Sequence, residues 1–182
     1  MSLVRPWERK QSRLLADCRI FELKESVSIS PQTGKEHDFY FIDTVDWVNI
    51  VPVTSNNELV LIRQYRHGSE EITLEIPGGM VDPGEHPETA GARECLEETG
   101  FKAGELISMG VLNANPAIFA NKLYTYLARD VEHVAEISNS STEHTELQLV
   151  RMAEIPDLLL SGEIDHALVA ATLWRVLYLL KS

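Results

Sequence analysis

The sequence predicts an α+β protein in which strands come first, one short helix lies in the middle and two helices close the chain. Three observations predict this class: strand-like runs around turn residues in the first half, a Gly/Pro-rich turn followed by a helical pattern, and an apolar helical stretch near the end. The chain has 182 residues, 44% hydrophobic and 24% charged, which suits a soluble globule with a sizeable core. We find no repeat, low-complexity segment or linker that divides it.

The predicted elements follow turn signals along the chain. Gly34 marks the turn of a first strand pair, and Ser55-Asn56-Asn57 marks the turn of a second pair. Further strands lead into the central helix and follow it. The predicted strands span about residues 19–29, 38–44, 48–53, 59–64, 71–76, 106–113, 122–128 and 147–152, and the predicted helices span about 87–99, 154–160 and 165–180. The long polar connection at 136–146 is predicted to be a mobile loop.

The helix predicted at residues 87–99 carries three glutamates on one side. Pro87 suits its first turn, and Gly100 suits the left-handed residue after its end. At about 100° per residue, Glu94, Glu97 and Glu98 centre on one face. The opposite stripe, which we expect to face the core, consists of Ala92, Cys95, Leu96 and Thr99.

This acidic face predicts a metal site. Two carboxylates about 4 Å apart repel by roughly 4 kcal/mol at an effective dielectric near 20, and a cation between them removes that cost. Oxygen ligands of this kind suit Mg²⁺ or Mn²⁺, which keep several waters and bind substrate phosphates. A solvated acidic face is the alternative, because that is the usual meaning of a run of charges.

The residues around this helix resemble the Nudix box from Gly79 to Phe101. The one soft departure is Cys95, where the family usually has a branched aliphatic; because Cys is a small hydrophobe, it concerns packing and not chemistry. The resemblance implies the Nudix fold, an α/β/α sandwich with a mixed β-sheet between helices, preceded here by antiparallel N-terminal strands. The matching positions are Gly79, Glu85, Arg93, Glu94, Glu97, Glu98, Gly100 and Phe101.

The same resemblance assigns roles within the box. It implies that Glu94 and Glu98 are direct ligands of Mg²⁺, with Mn²⁺ as the alternative, and that the backbone carbonyl of Gly78 is a further ligand. Glu97 is implied as a ligand, as a group one contact away from the metal, or as a catalytic carboxylate. Arg93 and Glu85 resemble a structural ion pair between turn and helix, and direct phosphate contact by Arg93 is the alternative.

From about residue 47 to 150 the chain resembles the ADP-ribose and nucleotide-sugar pyrophosphatases of the Nudix family. This likeness implies that Arg66 contacts the diphosphate or ribose and that Glu75 is a polar contact in the substrate site. Arg63 is either a substrate contact or a surface strand residue. Trp47 and Tyr40 are possible stacking residues for the base, with burial in the sheet or in a dimer interface as the alternative.

The branch also implies an arrangement of domains and a base. Residues 1–46 are expected to be N-terminal strands that form a dimerisation element, and residues 47–182 the Nudix hydrolase domain, so that the protein is a homodimer. A glutamate at the end of the 136–146 loop is expected to be the base or a metal ligand, with Glu146 favoured and Glu143 second. The segment 113–117 departs from the pattern of ADP-ribose pyrophosphatases, which leaves the choice among nucleotide sugars open.

Charge and composition exclude some functions. The net charge is −12, and between Glu70 and Glu98 nine acidic residues stand against Arg93 alone, which argues against binding long nucleic acid and favours an anionic substrate that arrives with metal. Cys18 and Cys95 are not expected to form a disulfide. The N-terminal residues contain no apolar signal segment, and the apolar stretch at 167–180 is too short to span a bilayer, so we expect a cytoplasmic protein that does not bind membranes.

The acidic face and the resemblance to nucleotide-sugar pyrophosphatases together imply Mg²⁺-dependent hydrolysis of the diphosphate bond of nucleoside diphosphate sugars, including ADP-ribose, to a nucleoside monophosphate and a sugar phosphate. The alternatives within enzymes are a dinucleoside polyphosphate, coenzyme A or a nucleoside triphosphate as substrate. From another class, a nucleotide-sugar sensor is the rival hypothesis. Such relatives usually lose glutamates of the box, whereas this chain keeps them all.

Overall fold

A computed structural model describes residues 4–180, which form two compact units. The larger unit contains residues 46–112 and 123–180, and the smaller contains residues 4–45 and 113–122. The strands are β1 Glu8–Asp17, β2 Glu22–Ile29, β3 Glu36–Asp43, β4 Trp47–Val53, β5 Glu58–Arg66, β6 Glu71–Glu75, β7 Gly78–Met80, β8 Phe101–Lys102, β9 Leu106–Asn113, β10 Lys122–Arg129, β11 Glu132–His133 and β12 Thr145–Arg151, and the helices are α1 Pro87–Thr99, α2 Ile155–Ser161 and α3 Ala167–Leu179.

The larger unit is built on a seven-stranded mixed sheet. Its main path runs β12-β5-β4-β10-β9, with β6 paired to β5 and β7 paired to β4. Strands β4 and β10 are parallel, whereas β5 is antiparallel to β12, β4 and β6. A small second pair, β8 with β11, lies outside this sheet. The mixed sheet that the sequence predicts is therefore confirmed.

Each face of this sheet has its own apolar core, because side chains alternate along a strand. On β4, Val48 and Ile50 pack in one cluster with Cys95 of α1. The next side chain along the strand, Val51, packs in a second cluster that includes Leu173 of α3. Helix α1 thus covers one face while α2 and α3 cover the other, which confirms the α/β/α sandwich.

Helix α1 has the predicted bounds but a rotated core face. It begins at Pro87 after the capping residue His86 and ends at Gly100, whose φ of 73° lies in the left-handed region. The buried residues are Ala90, Gly91, Cys95, Glu98 and Thr99, so the expected stripe is partly wrong. A Cβ on Gly91 would lie 2.7 Å from Ile50 Cδ1, so the glycine turns this side of the helix to the sheet and leaves Ala92 and Leu96 only half-buried.

The smaller unit is a three-stranded antiparallel sheet in the order β1-β2-β3. The segment 113–122 joins it through hydrogen bonds between Ile42 and the backbone of Ile118 and Ala120. The sequence missed β1, because its residues ERKQSRLLAD are almost all exposed and show no apolar alternation. The predicted start of the first strand, at residue 19, was also wrong. Arg19 has a φ of 68° and lies in the turn before β2.

Two smaller differences concern the elements near the chain end. The helix predicted near residue 154 is preceded by a 3-10 turn at Met152–Glu154. Helix α3 begins at Ala167 because His166 Nδ1 accepts a hydrogen bond from the Val169 amide and caps it. Within residues 4–180, the helices lack the length and apolar character needed to cross a membrane.

Candidate active site

The backbone of Gly78 and Gly79 lies directly against two carboxylates of α1. The Gly78 amide donates a hydrogen bond of 2.9 Å to Glu98 Oε2. A Cβ on Gly79 would lie 2.4 Å from Glu94 Oε1, so only glycine leaves room for this carboxylate. A Cβ on Gly78 would lie 2.3 Å from the Val48 carbonyl oxygen on the neighbouring strand β4. The two glycines therefore allow both carboxylates to approach the turn backbone closely.

Arg93 ties the turn to the helix. Its Nη2 donates to Glu85 Oε2 over 3.1 Å and to the Met80 carbonyl over 3.1 Å, which confirms the predicted ion pair with Glu85. Its Nη1 also donates to Glu94 Oε1 over 2.8 Å and to Glu97 Oε2 over 3.2 Å. These partners, Glu85 foremost, raise the pKa of Arg93. One guanidinium thus orients three carboxylates of the acidic turn and helix.

The electrostatics of the acidic face suit a cation. Burial raises the pKa of Glu98 to about 8, and the hydrogen bond from Gly78 only partly opposes this effect. Burial also raises the pKa of Glu94, against the influence of Arg93. Repulsion between neighbouring carboxylates adds to both shifts. The ionised forms therefore need a further positive charge, and oxygen donors of this type are those that Mg²⁺ and Mn²⁺ prefer.

The side chains themselves are not gathered into a finished coordination sphere. In the part of the chain that the structure describes, no group of three or more His, Cys, Asp or Glu side chains is arranged to hold a metal ion. Arg93 holds Glu94 and Glu97, while Glu98 binds the Gly78 amide. The donor types fit a hard divalent cation, and Glu94 would exchange its contact with Arg93 for a metal contact.

The start of β12 lies against the C-terminal half of α1. The Thr145 hydroxyl donates to the Glu98 carbonyl over 2.9 Å and accepts a hydrogen bond of 2.7 Å from Asn139 Nδ2. Because side chains alternate along a strand, Glu146 lies on the opposite face of the sheet, where its register partner is Arg63. The structure therefore does not bring Glu146 to the acidic face of α1. The sequence missed Thr145, since no motif distinguishes it from any other strand residue.

The charge of Glu143 acts on the acidic face of α1. Its charge raises the pKa values of Glu94 and Glu98 and also raises that of Arg66. Its carboxylate accepts a hydrogen bond of 2.8 Å from the Ser140 hydroxyl, within the polar loop. The loop thus directs one carboxylate, Glu143, towards the acidic face and Arg66.

Arg66 and Glu75 form a bidentate ion pair. Arg66 Nε donates to Glu75 Oε1 over 2.7 Å, and Nη2 donates to Oε2 over 2.6 Å. The Thr73 hydroxyl adds a third hydrogen bond, 2.6 Å to Oε1. Burial pushes the pKa of Glu75 upward, but the bonds from Arg66 outweigh it and hold that pKa below its usual range. Glu75 is 2% exposed, so it orients Arg66 and offers little surface to a ligand.

Comparison with known proteins decides the family. The NUDIX domain matches residues 43–173, which is well over half of the chain. The chain belongs to the NUDIX family. It is similar to the ADP compounds hydrolase NudE of Escherichia coli (strain K12), with 34% identity over 137 residues, covering 74% of this chain and 72% of that protein. It is also similar to an ADP-ribose pyrophosphatase of Bacillus subtilis (strain 168), with 27% identity over 124 residues, covering 68% and 67% of the two chains.

A solved structure extends the Nudix assignment to the whole fold. The crystal structure of an ADP compounds hydrolase superposes with a TM-score of 0.87 and 26% sequence identity, covering 100% of this chain and 97% of that one. The chain is thus an enzyme of the Nudix hydrolase family. A divalent metal is the cofactor that such hydrolases generally need.

The other residues that the sequence predicted to contact substrate are Arg63, Trp47 and Tyr40. Arg63 donates from Nε to Gln148 over 3.0 Å and from Nη2 to Glu163 over 2.6 Å, so its guanidinium is engaged on the sheet face opposite α1. Trp47 is half-buried at the start of β4, where it pairs with Met80 and Leu123. Tyr40 belongs to the smaller unit, and its side chain is largely exposed on β3.

Proposed function

We propose that this protein hydrolyses the diphosphate bond of nucleoside diphosphate sugars, ADP-ribose among them, in a reaction that depends on a divalent metal. The products are a nucleoside monophosphate and a sugar phosphate. The observation that carries the proposal is the pair of α1 carboxylates, Glu94 and Glu98, held against the Gly78–Gly79 backbone. The names of the similar proteins, an ADP compounds hydrolase and an ADP-ribose pyrophosphatase, support the substrate class.

We propose Mg²⁺ as the metal, with Mn²⁺ as the alternative. Glu94, Glu98 and the carbonyl oxygen of Gly78 would hold it, and Glu97 would be a ligand or would contact a bound water. When bound, the metal neutralises charge on the phosphoryl oxygens and lowers the pKa of a water. Arg93 positions Glu97 for this task through its hydrogen bond to Oε2, and it holds Glu94 beside the site until that carboxylate turns to the metal.

The base that prepares the attacking water is Glu143 in this proposal. Its charge acts on Glu94, Glu98 and Arg66, as expected for a carboxylate that faces the substrate phosphates. The sequence favoured Glu146, but strand alternation directs that side chain to the other face of the sheet. Glu143, in the loop before β12, is therefore the proposed base, and Glu146, on β12, is the second candidate.

Arg66 is the proposed contact to the diphosphate. Two of its five N–H groups are held by Glu75, and 42% of its side chain is exposed, so donors remain for phosphate oxygens. Its charge also interacts with that of Glu98, which supports this assignment. Glu75 is a positioning residue for Arg66. Arg63 is left as a strand residue, because Gln148 and Glu163 occupy its guanidinium.

We further propose that the protein is a homodimer that forms through the N-terminal strands, with residues 1–46 as the dimerisation element and 47–182 as the catalytic domain. Exposed aromatic side chains on the smaller unit support this, since Trp7, Phe39 and Tyr40 are 45%, 43% and 56% exposed. Tyr40 would lie in that interface, and Trp47 is retained as the candidate for base stacking. Light scattering of the purified chain tests the dimer, and a monomeric mass contradicts it.

The deciding experiment measures products by mass spectrometry in ¹⁸O-labelled water. ADP-ribose, several nucleoside diphosphate hexoses, a dinucleoside polyphosphate, coenzyme A and a nucleoside triphosphate are compared with Mg²⁺, Mn²⁺ and chelator. We expect fastest turnover of a nucleoside diphosphate sugar, no turnover with chelator, and ¹⁸O in one of the two monophosphate products. Fastest turnover of another class replaces the substrate proposal, and tight binding without turnover supports a sensor.

The ligand assignment is tested by Glu98→Gln, which keeps the side-chain shape but removes the charge. We expect a loss of about 10²-fold or more in kcat, because a charge-neutralising ligand of the metal is removed. Glu88→Gln is the matched control, since this exposed glutamate lies in the first turn of the same helix. A Glu98→Gln enzyme with near-native Mg²⁺-dependent turnover would contradict the assignment.

A further inference from the structure

A pocket of about 400 Å³ adjoins Arg66 in the larger unit. It lies between the end of β5, the turn into β6 and the segment that leads into α3. We propose that this pocket binds the terminal sugar of the substrate and selects an uncharged sugar over one that carries a phosphate; this inference rests on the proposed function. The lining residues are Arg66, His67, Gly68, Ser69, Glu71, Thr73, Asp165 and His166.

Arg66 connects the pocket to the reaction site. Its guanidinium lines the pocket and is anchored by Glu75, while its charge interacts with those of Glu98 and Glu143. A diphosphate bound by Arg66 would therefore lie near both the proposed metal ligands and the pocket. The group attached to the second phosphorus is the one that reaches into the pocket.

The polar groups of the lining match sugar hydroxyls. Glu71 and Asp165 supply carboxylates that accept hydrogen bonds, and Ser69 supplies a hydroxyl that donates and accepts. His166 Nδ1 accepts a hydrogen bond from the Val169 amide, so the proton lies on Nε2, which is a donor. Several acceptors and donors around one cavity suit a polyol, because each hydroxyl can both donate and accept.

The same lining disfavours the two other ends that a nucleotide substrate could present. None of its eight residues is Phe, Tyr or Trp, so the lining lacks the large aromatic faces on which a base stacks best. The lining contains one arginine, Arg66, which is already paired with Glu75, and two carboxylates, those of Glu71 and Asp165. A terminal phosphate would therefore meet net negative charge.

The turn that carries Ser69 is tightly closed. The Glu70 amide donates to the Arg66 carbonyl over 2.9 Å, and Glu70 has a φ of 58°, a conformation that non-glycine residues adopt rarely. A turn with this closure holds Ser69 and His67 at the pocket and limits the entropy lost when a sugar binds. The strained backbone of Glu70 thus helps to fix the lining of the pocket before a ligand binds.

The test compares equilibrium binding of two nucleotides of equal charge by calorimetry, with Ca²⁺ in place of the catalytic metal. These are ADP-ribose and the β-methyl ester of ADP, which lacks the sugar. We expect the wild-type protein to bind ADP-ribose at least about tenfold more tightly, because the sugar adds several hydrogen bonds. Ser69→Ala and Asp165→Asn should each reduce that ratio at least about threefold and leave the affinity for the methyl ester unchanged. Asp157→Asn, an exposed change on α2 outside the pocket, should alter neither affinity.

A third probe, ADP-ribose with a phosphate on its terminal sugar, tests the charge selectivity. We expect it to bind at least about tenfold more weakly than ADP-ribose, and we expect Asp165→Asn to narrow that gap. A wild-type ratio of sugar to methyl ester below about twofold, or variants that weaken both nucleotides equally, overturns the inference, as does a wild-type protein that binds neither. Sugar-dependent binding without any hydrolysis leaves the pocket assigned and overturns the proposed function alone.

Discussion

Replacing Glu75 by Gln should destabilise the protein by about 2 kcal/mol at pH 7, because a buried, charge-assisted ion pair loses its negative partner. The carboxylate is 2% exposed and accepts two hydrogen bonds from Arg66 and one from Thr73. Gln keeps one acceptor oxygen but turns an amide N–H towards a guanidinium N–H. Since 42% of the Arg66 side chain is exposed, water solvates the released guanidinium in part, which keeps the loss well below that of a fully buried pair.

The pH dependence gives this prediction a second, independent readout. The pKa of Glu75 is held below its ordinary value of 4.5 in the folded protein. Its contribution to stability is therefore fully present above that value and is lost as the pH falls through the folded pKa. The free-energy difference between the wild type and Glu75→Gln should thus be largest at neutral pH and shrink below about pH 4.5.

Urea unfolding followed by tryptophan fluorescence, at several pH values from 7 downward, measures both effects. Glu71→Gln is the control, because Glu71 lies on the same strand but is exposed, and it should change stability by less than about 0.5 kcal/mol. The reasoning is refuted if Glu75→Gln unfolds at the same urea concentration as the wild type at pH 7. It is refuted equally if the difference persists undiminished into acid.

Two further pairs of variants test the site. Gly79→Ala should raise the Mg²⁺ concentration for half-maximal activity about tenfold, because its Cβ displaces the Glu94 carboxylate, whereas stability should change by less than about 1 kcal/mol. Gly78→Ala should instead lower the free energy of unfolding by about 2 kcal/mol or more, since its Cβ meets a backbone carbonyl, and equal stabilities in urea titrations would contradict this. Glu143→Gln should lower kcat at saturating Mg²⁺ by about 10²-fold, and Glu146→Gln by less than about threefold. If steady-state kinetics show the larger loss of kcat in Glu146→Gln, then Glu146 and not Glu143 is the base.

The parts of the fold that could be predicted are those set by local sequence. The bounds of α1 follow from Pro87 in the first turn and Gly100 at the left-handed end, and the structure has both. The ion pair between Glu85 and Arg93 was implied by the resemblance to the Nudix box, and the structure has it within one turn and helix. The strand pairs around Gly34 and Asn57 are local hairpins, and both residues have positive φ as such turns require.

Contacts between distant segments were not predictable in the same way. Strand β1 has no apolar alternation, so only its pairing with β2 defines it. The face that Glu146 occupies depends on which residue of β12 meets α1, and that is set by the hydrogen bond from Thr145 to the Glu98 carbonyl. A shift of one residue along a strand exchanges its two faces, so a motif that locates a glutamate to within a few residues cannot decide its side.

Glu98 shows how far a helical wheel can be trusted at a functional site. The wheel places it on a polar face, yet it is 4% exposed, because the Gly78 amide and the start of β12 cover it from outside the helix. Burial raises its pKa to about 8, so the free protein holds this carboxylate in an environment that favours its neutral form. An apolar side chain would fill the same space without that cost, whereas a carboxylate held by the Gly78 amide gains a positive charge in direct contact when a cation binds. The departure of Glu98 from the amphipathic pattern is therefore itself an argument that α1 is shaped for a metal-dependent reaction and not for stability alone.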